Sequence, residues 1–214
     1  MSLPIHHPQG HSAPPEQRLP GGLMPGLARA RVHEVCGPAR VAFALMILQL
    51  CDGPVIWITP SWLPERLYPC GVAGFVHPGR LIFARCRRPE DIQWSAEEAL
   101  RAGAAPTVVA EMPTPPALTP VRRLHLAAET GREAAHHAGR PAPLGLLLTA
   151  GDGGAQGVES RWYMAAAPSP SGLLDDEGVA WRLERRRART SPVAGWEIQR
   201  QTSGRVLARP ITSA

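Results

Sequence analysis

The sequence predicts an α/β fold whose mostly parallel sheet is extended by antiparallel strands at its C-terminal end. Between residues 31 and 149, short apolar runs alternate with longer segments of helical periodicity, as in βαβ units. The apolar runs are nearly continuous, which is typical of strands buried on both faces of a parallel sheet. After residue 160 the helical segments stop, and apolar residues alternate with polar ones.

The elements of this fold can be assigned in chain order from the apolar pattern. The buried strands are predicted at residues 31–36, 54–59, 79–86, 106–111 and 143–149. The helices are predicted at 39–51, 90–102 and 118–138, with a short helical turn at 64–68. The antiparallel strands are predicted at 161–167, 179–189 and 193–200, the last two forming a hairpin within 178–200.

The two ends of the chain differ in composition from the middle. Residues 1–22 are rich in proline, glycine, histidine and glutamine, and predict a disordered tail. Residues 23–200 are expected to form one domain, followed by a flexible tail at 201–214. The N-terminal segment lacks the features of a signal peptide, and no apolar run approaches the roughly 20 residues of a membrane span. We therefore expect a cytoplasmic protein with no membrane contact.

Arginine supplies all the positive side-chain charge of the chain at neutral pH, because the sequence contains no lysine. The formal net charge is +5, and all 23 residues of the lysine and arginine class are arginine. Eight of these arginines follow residue 180, against only Glu184 and Glu197. This basic segment favours either an acidic partner such as nucleic acid, or arginines lining the solvent side of a hairpin. The four cysteines lie far apart and are expected to be small buried residues, so no metal or other cofactor is predicted.

One segment, EVCGPARVAFALMILQ, has the layout of a phosphate-binding loop, because a strand runs into a glycine that precedes a helix. Such a loop reads G-x-x-x-x-G-K-[ST]. Its first glycine is Gly37, and Arg40 lies inside the loop. Ala42, Phe43 and Ala44 stand where the second glycine, the lysine and the hydroxyl belong. The segment indicates either a nucleotide site without its binding residues or an ordinary helix start with an early proline. Neither interpretation makes the chain an enzyme.

The surrounding segments resemble the RecA-type core and, within it, the ImuA group of SulA/RecA-like proteins. The resemblance rests on sequence stretches that keep their order and spacing: Gly22-Leu23, RVHEVCGP at 31–38, EEALRAGAAPTVVAEM at 97–112, RRLHLAAE at 122–129, SRWYMAAAPS at 160–169 and WRLERRRART…GWEIQ at 181–199. It implies a RecA-like three-layer core. It also places Glu111 at the position of the Walker B aspartate.

The resemblance implies a non-catalytic accessory protein of error-prone translesion DNA synthesis in the SOS response to DNA damage. The implied partners are an ImuB-like Y-family polymerase homologue and an error-prone DNA polymerase III alpha-type subunit, with RecA as a further candidate. Two alternatives stay open. One is a SulA-like cell-division inhibitor that binds FtsZ, and the other is a protein that still binds ATP.

DNA contacts are expected at arginines and not at the loops that bind DNA in RecA. The corresponding loops here, 112–120 and 150–160, carry no basic residue. The candidates for sequence-independent, salt-sensitive contacts with DNA or a partner are Arg122, Arg123, Arg182, Arg185, Arg186, Arg187 and Arg189.

Overall fold

A computed structural model of the chain describes residues 15–23, 26–168 and 179–211. The strands in these residues are β1 (Glu16–Gln17), β2 (Leu27–Ala28), β3 (Val32–Cys36), β4 (Val55–Pro60), β5 (Leu81–Cys86), β6 (Thr107–Glu111), β7 (Leu144–Leu148), β8 (Ser160–Ala166), β9 (Val179–Ala188), β10 (Ala194–Arg200) and β11 (Val206–Pro210). The α-helices are α1 (Arg40–Gln49), α2 (Pro69–Ala73), α3 (Pro89–Ala102) and α4 (Leu118–His137). Short 3-10 helices occupy Pro20–Gly22 and Pro78–Arg80.

Strands β3 to β11 form one nine-stranded sheet in the order β11-β10-β9-β8-β3-β7-β6-β4-β5. The pairs from β8 across to β5 are parallel. The pairs from β8 outward to β11 are antiparallel. The predicted mostly parallel α/β sheet with antiparallel C-terminal strands is therefore confirmed. Strands β1 and β2 form a separate antiparallel ribbon.

Helix α1 lies on one face of the sheet and is buried over most of its length. Its sequence, RVAFALMILQ, is apolar on nearly all sides, and the residues from Phe43 to Leu48 are all buried. It belongs to a core that includes Trp57 of β4, Leu146 of β7 and Met164 of β8. This core continues under the antiparallel strands, so α1 ties the parallel and antiparallel halves of the sheet together.

Helices α3 and α4 cover the opposite face. Helix α3 begins with Pro89 in its first turn and ends before Gly103, whose φ of 58° closes the helix in the left-handed conformation. Its buried residues include Ile92, Ala96 and Leu100, which recur at helical spacing and pack in a second core with α4.

Helices α3 and α4 approach each other closely at two glycines, Gly131 in α4 and Gly103 directly after α3. A Cβ added to Gly131 of α4 would overlap the carbonyl group of Leu100 in α3. A Cβ added to Gly103 would overlap the carbonyl group of Gly131. The backbones therefore meet with no side chain between them. Among the described residues, no helix has the length and apolar content needed to cross a membrane.

The structure corrects three predictions about the less regular parts of the chain. Residues 64–68 are not helical, and the helical turn lies at α2, where Pro69 occupies the first turn. The expected flexible tail at 201–214 contains β11, which pairs with β10 because Val206 and Ala208 pack against the core. Within the expected tail at 1–22, residues 1–14 lie outside the described residues, whereas Leu19 is buried in the core.

Candidate functional site

The loop between β3 and α1 is closed by the protein's own hydrogen bonds. Gly37 has a φ of 90°, and a Cβ added to it would overlap the carbonyl oxygen of Met164 in β8. The Gly37 N–H donates to the carbonyl of Gly151 at 2.9 Å, and the Ala39 N–H donates to that of Met164 at 3.0 Å. These two N–H groups, which would face phosphate in a binding loop, are thus used to hold α1 against β8 and the segment after β7.

Arg40 turns back onto the same loop. Its guanidinium Nη1 donates to the carbonyl of Gly37 at 3.2 Å, and its backbone N–H donates to the same carbonyl at 3.3 Å. Ala42 is half-buried at the edge of the core. The arginine therefore supports the turn from within the chain.

Phe43 and Ala44, at the positions of the lysine and hydroxyl, belong to the core. Phe43 is 1% exposed, and its ring centre lies 5.9 Å from that of Trp162. Ala44 is fully buried. Side chains at these positions point into the apolar layer between α1 and the sheet.

Glu111 lies at the carboxyl end of β6, two strands away from the Gly37 loop. Strand β7 separates β6 from β3, which corresponds to about 10 Å between their axes. The Glu111 Oε1 accepts a hydrogen bond from Trp57 Nε1 at 2.5 Å, and its Oε2 accepts one from Thr59 Oγ1 at 3.4 Å. The structure therefore joins Glu111 to β4 by hydrogen bonds.

A cleft that sequence reasoning did not identify lies beside Glu111, at the carboxyl ends of β4, β5 and β6. Its volume is about 230 Å³, and it is lined by Thr59, Pro60, Glu65, Arg66, Leu67, Phe83, Arg85 and Glu111. Clefts at this edge of an α/β sheet are the usual ligand positions of the fold. Its lining residues come from separate elements. The only feature of the sequence that could have located the cleft was the predicted carboxyl ends of the strands.

Glu34 is a second residue that sequence reasoning passed over. It lies in the middle of β3 and is fully buried. Its carboxylate accepts hydrogen bonds from Thr149 Oγ1 at 2.7 Å, Gly154 N–H at 2.8 Å and Ala155 N–H at 3.0 Å. It also forms an ion pair with Arg161. One buried carboxylate thus fixes the segment after β7, which corresponds by the resemblance to a DNA-contacting loop of RecA and is not expected to contact DNA here.

Arg185, named above as a candidate contact with DNA or a partner, is buried. Arg185 is 4% exposed, and its guanidinium lies 5.6 Å from the ring centre of Trp162 and 5.3 Å from that of Trp196. Its Nε donates to the carbonyl of Pro192 at 3.0 Å, and burial lowers its pKa. Arg185 follows the inward alternation of Trp181 and Leu183, so strand periodicity carries it into the core.

Arg186 also forms contacts within the protein. Its guanidinium lies 3.6 Å from the ring centre of Tyr163 and pairs with Asp152 at 2.7 Å and Glu184 at 2.9 Å. The residue falls where the register between β8 and β9 shifts, since Arg161 pairs with Arg187 and Trp162 pairs with Arg185. This bulge separates Arg186 from the regular alternation of β9.

The other predicted arginines lie at the surface on two elements. Arg122 and Arg123 lie in the second turn of α4, and Arg123 pairs with Glu97 of α3 at 2.7 Å. On β9 and just after it, Arg182 pairs with Glu184 at 2.8 Å, Arg189 lies 3.6 Å from Glu159, and Arg187 is exposed. Arg122 and Arg187 are in no ion pair among the described residues, which makes them the more accessible cations of the two groups.

A buried histidine and serine form a pair that the sequence did not reveal. His33 Nδ1 lies 2.6 Å from Ser160 Oγ, and His33 Nε2 lies 2.9 Å from the carbonyl of Ala28. Trp162 Nε1 donates to Ser160 Oγ at 2.8 Å. Burial lowers the pKa of His33 to about 4. Because a carbonyl and not a carboxylate faces the second ring nitrogen, the pair lacks the acid of a catalytic triad.

Comparisons with solved structures include a distant likeness at low sequence identity. No protein-family model matches the chain. No curated protein sequence matches it either. Among solved structures, the crystal structure of SulA from Pseudomonas aeruginosa aligns with 56% of this chain and 98% of its own, at 16% identity and a TM-score of 0.44. A likeness of this size does not identify a function.

Proposed function

We propose that this chain is a non-catalytic accessory protein that acts through contacts with other macromolecules. The observation that carries the proposal is the loop at Gly37. Its N–H groups are bonded within the protein, and Phe43 occupies the core where a phosphate-binding lysine would stand. A strand, a glycine turn and a helix are thus retained for packing, without the groups that bind and hydrolyse a nucleotide.

The process in which the protein takes part is error-prone translesion synthesis during the SOS response. This part of the proposal rests on the sequence resemblance to ImuA-type proteins. It gives the chain two partners, an ImuB-like polymerase homologue and an error-prone DNA polymerase III alpha-type subunit, with RecA as a third candidate. The location proposed for this role is the cytoplasm. No cofactor is required for this role.

DNA contact is a secondary part of the proposal. Arg122 in the second turn of α4 and Arg187 on β9 are accessible and in no ion pair among the described residues, which suits weak, sequence-independent contacts with phosphate. Such contacts weaken steeply as salt is added. Replacing both arginines with glutamine would then flatten the salt dependence of DNA binding, whereas Arg185 should not be used for this test because it is buried.

Co-purification tests the proposal directly. The full chain and the ImuB-like protein encoded in the same genome would be co-expressed and purified through a tag on either one. Recovery of a stable complex at low salt is expected, and failure to recover one would contradict the mutagenesis role.

Two further measurements separate the alternatives. Fluorescent ATP that binds at micromolar affinity and is displaced by unlabelled ATP would show a working nucleotide site. Cell filamentation on overexpression without DNA damage, together with binding to purified FtsZ, would favour a division inhibitor of the SulA type. The accessory role predicts neither result.

A further inference from the structure

The two edges of the nine-stranded sheet differ in whether another segment of the chain covers them. At one edge, β11 is covered by the 3-10 helix Pro20–Gly22, since a Cβ added to Gly21 would lie 2.6 Å from the Cβ of Ala208. Strand β11 also ends in Pro210, which cannot donate a backbone hydrogen bond. At the other edge, β5 pairs with β4 alone among the described residues. An uncovered edge presents free N–H and C=O groups to any extended segment.

The uncovered edge is also apolar. Ile82 is 55% exposed and Phe83 is 49% exposed, and these neighbours project to opposite faces of β5. Trp62 and Leu63, also exposed, follow β4 where Ser61 N–H donates to the carbonyl of Cys86. Proteins often protect such edges with charges, and here the arginines flank an apolar centre that carries no charge. Exposed apolar side chains at the centre of an edge strand therefore indicate a binding surface.

The cleft at Glu111 lies along this edge. Phe83 and Arg85 of β5 line it, together with Leu67 of the segment before α2. Its volume of about 230 Å³ is below the roughly 300–1,000 Å³ of pockets that enclose a small-molecule ligand. It is suited to single side chains from a strand laid beside β5, because alternate residues of such a strand point toward this face.

The charge of the edge selects the partner. Residues 80–88, RLIFARCRR, contain four arginines and no acidic residue. Arg88 pairs with Asp91, whereas Arg85 and Arg87 are exposed and in no ion pair among the described residues. Antiparallel pairing of β5 with a second copy would bring Arg85 and Arg87 of both copies to one pair of strands, which is unfavourable because neither edge segment supplies an acidic residue. A segment with apolar residues opposite Ile82 and Phe83 and acidic residues near Arg85 and Arg87 complements the edge instead.

We propose that β5 is a docking edge on which an extended acidic and apolar segment of a protein partner adds as a tenth strand. The proposal deepens the accessory function and rests on it, because it names the surface through which the protein contacts a partner. Backbone hydrogen bonds to β5 supply much of the affinity, Ile82 and Phe83 contact the apolar residues, and Arg85 and Arg87 pair with the acidic ones.

A synthetic peptide with valine and phenylalanine at the adjacent positions opposite Ile82 and Phe83, and glutamates at the positions nearest Arg85 and Arg87, tests the edge without an identified partner. Binding of the fluorescent peptide to the full chain would be followed by anisotropy. The double variant Ile82→Thr/Phe83→Thr keeps strand propensity and removes the apolar contacts, and it should weaken binding by at least about tenfold. Val193→Thr removes another exposed valine, next to β10, and should bind the peptide like the unaltered chain.

Two control peptides separate strand addition from other contacts. A peptide N-methylated at alternate residues cannot form the backbone hydrogen bonds and should not bind. A peptide with lysine in place of glutamate should bind at least about tenfold more weakly, because it meets Arg85 and Arg87 with like charge. Amide hydrogen exchange of the bound chain should slow in β5 and not in β11.

Several results would overturn the proposal. The first is that the N-methylated peptide binds as tightly as the unmodified one. The second is that the double variant binds the peptide as tightly as the unaltered chain does. The third is that no binding is seen up to about 1 mM peptide. Sedimentation that shows a dimer abolished by Ile82→Thr/Phe83→Thr would assign the edge to a second copy. A failure of the proposed mutagenesis role is distinguishable, since the ImuB-like protein would then not co-purify while the peptide still bound to β5.

Discussion

The guanidinium of Arg185 lies 5.3 Å from the ring centre of Trp196, beneath the surface of the antiparallel half of the sheet. Trp162 lies on the same guanidinium at 5.6 Å and stacks on Trp196 with ring centres 5.7 Å apart. An arginine in this position contributes its aliphatic stem and its charge to the packing of two indole rings. The basic sequence of β9 is therefore in part a core sequence.

Replacing Arg185 with alanine should lower the free energy of unfolding by about 2–3 kcal/mol, because it removes the contacts with both tryptophans and leaves a cavity. Urea denaturation measures the change. Arg187→Ala, two residues along the same strand and exposed, is the matched control and should change stability by less than about 0.5 kcal/mol. Equal effects of the two substitutions would show that Arg185 is not part of the core.

Glu34→Gln should destabilise the protein by about 2–4 kcal/mol, because the carboxylate accepts three hydrogen bonds from Thr149, Gly154 and Ala155 and pairs with Arg161 in a buried setting. The amide cannot accept at both atoms. Amide exchange should also quicken in residues 150–157. Glu197→Gln, at an exposed position of β10, should alter neither measurement. An unchanged exchange rate in Glu34→Gln would mean that other contacts hold the segment.

Stability should depend on pH through His33. Its pKa is about 4 in the folded chain and 6.5 as a free side chain, so the unfolded chain binds more protons between these values. The free energy of unfolding therefore falls as the pH is lowered, by about 2 kcal/mol between pH 7 and pH 5. Burial lowers the pKa of His125 too, which adds to the same trend. Denaturation of His33→Gln at both pH values should show a smaller difference, and an unchanged difference would contradict the assignment.

Restoring the sequence of the phosphate-binding motif should not restore ATP binding. In the variant Ala42→Gly/Phe43→Lys/Ala44→Thr, the new lysine would replace a side chain that is 1% exposed, at a cost of about 4 kcal/mol or more. The N–H groups of Gly37 and Ala39 would still donate to Gly151 and Met164. Fluorescent ATP titration and urea denaturation measure the two effects. The single variant Phe43→Leu should cost less than about 1.5 kcal/mol, and ATP binding by the triple variant would show that the loop opens.

The parallel half of the fold could be predicted because burial on both faces leaves a direct signal. The centre of β6, VVA, and the whole of β7, LGLLL, are runs without a polar side chain, and turn residues lie near their ends. The long helix α4 could also be predicted from the sequence, since its buried residues recur at helical spacing. These segments carry their own pattern, whatever they pack against.

The parts that were missed depend on contacts between distant segments. Strand β11 has only Val206, Leu207 and Ala208 as a signal, and it forms because β10 offers an edge. The sequence alone suggests that Arg185 is a surface cation, because the contacts with Trp162 and Trp196 that bury it come from other strands. The cleft beside Phe83 combines residues from β4, β5, β6 and the segment before α2. No local pattern in the sequence specifies such combinations.

The unequal edges of the sheet set a limit on assembly. Because β11 is covered, the described sheet can lengthen only at β5, and a strand added there uses the last open edge. Head-to-tail growth of identical subunits needs two complementary surfaces on every copy. A complex built through β5 would therefore stop at a fixed number of chains, and its stoichiometry would be set by the partner.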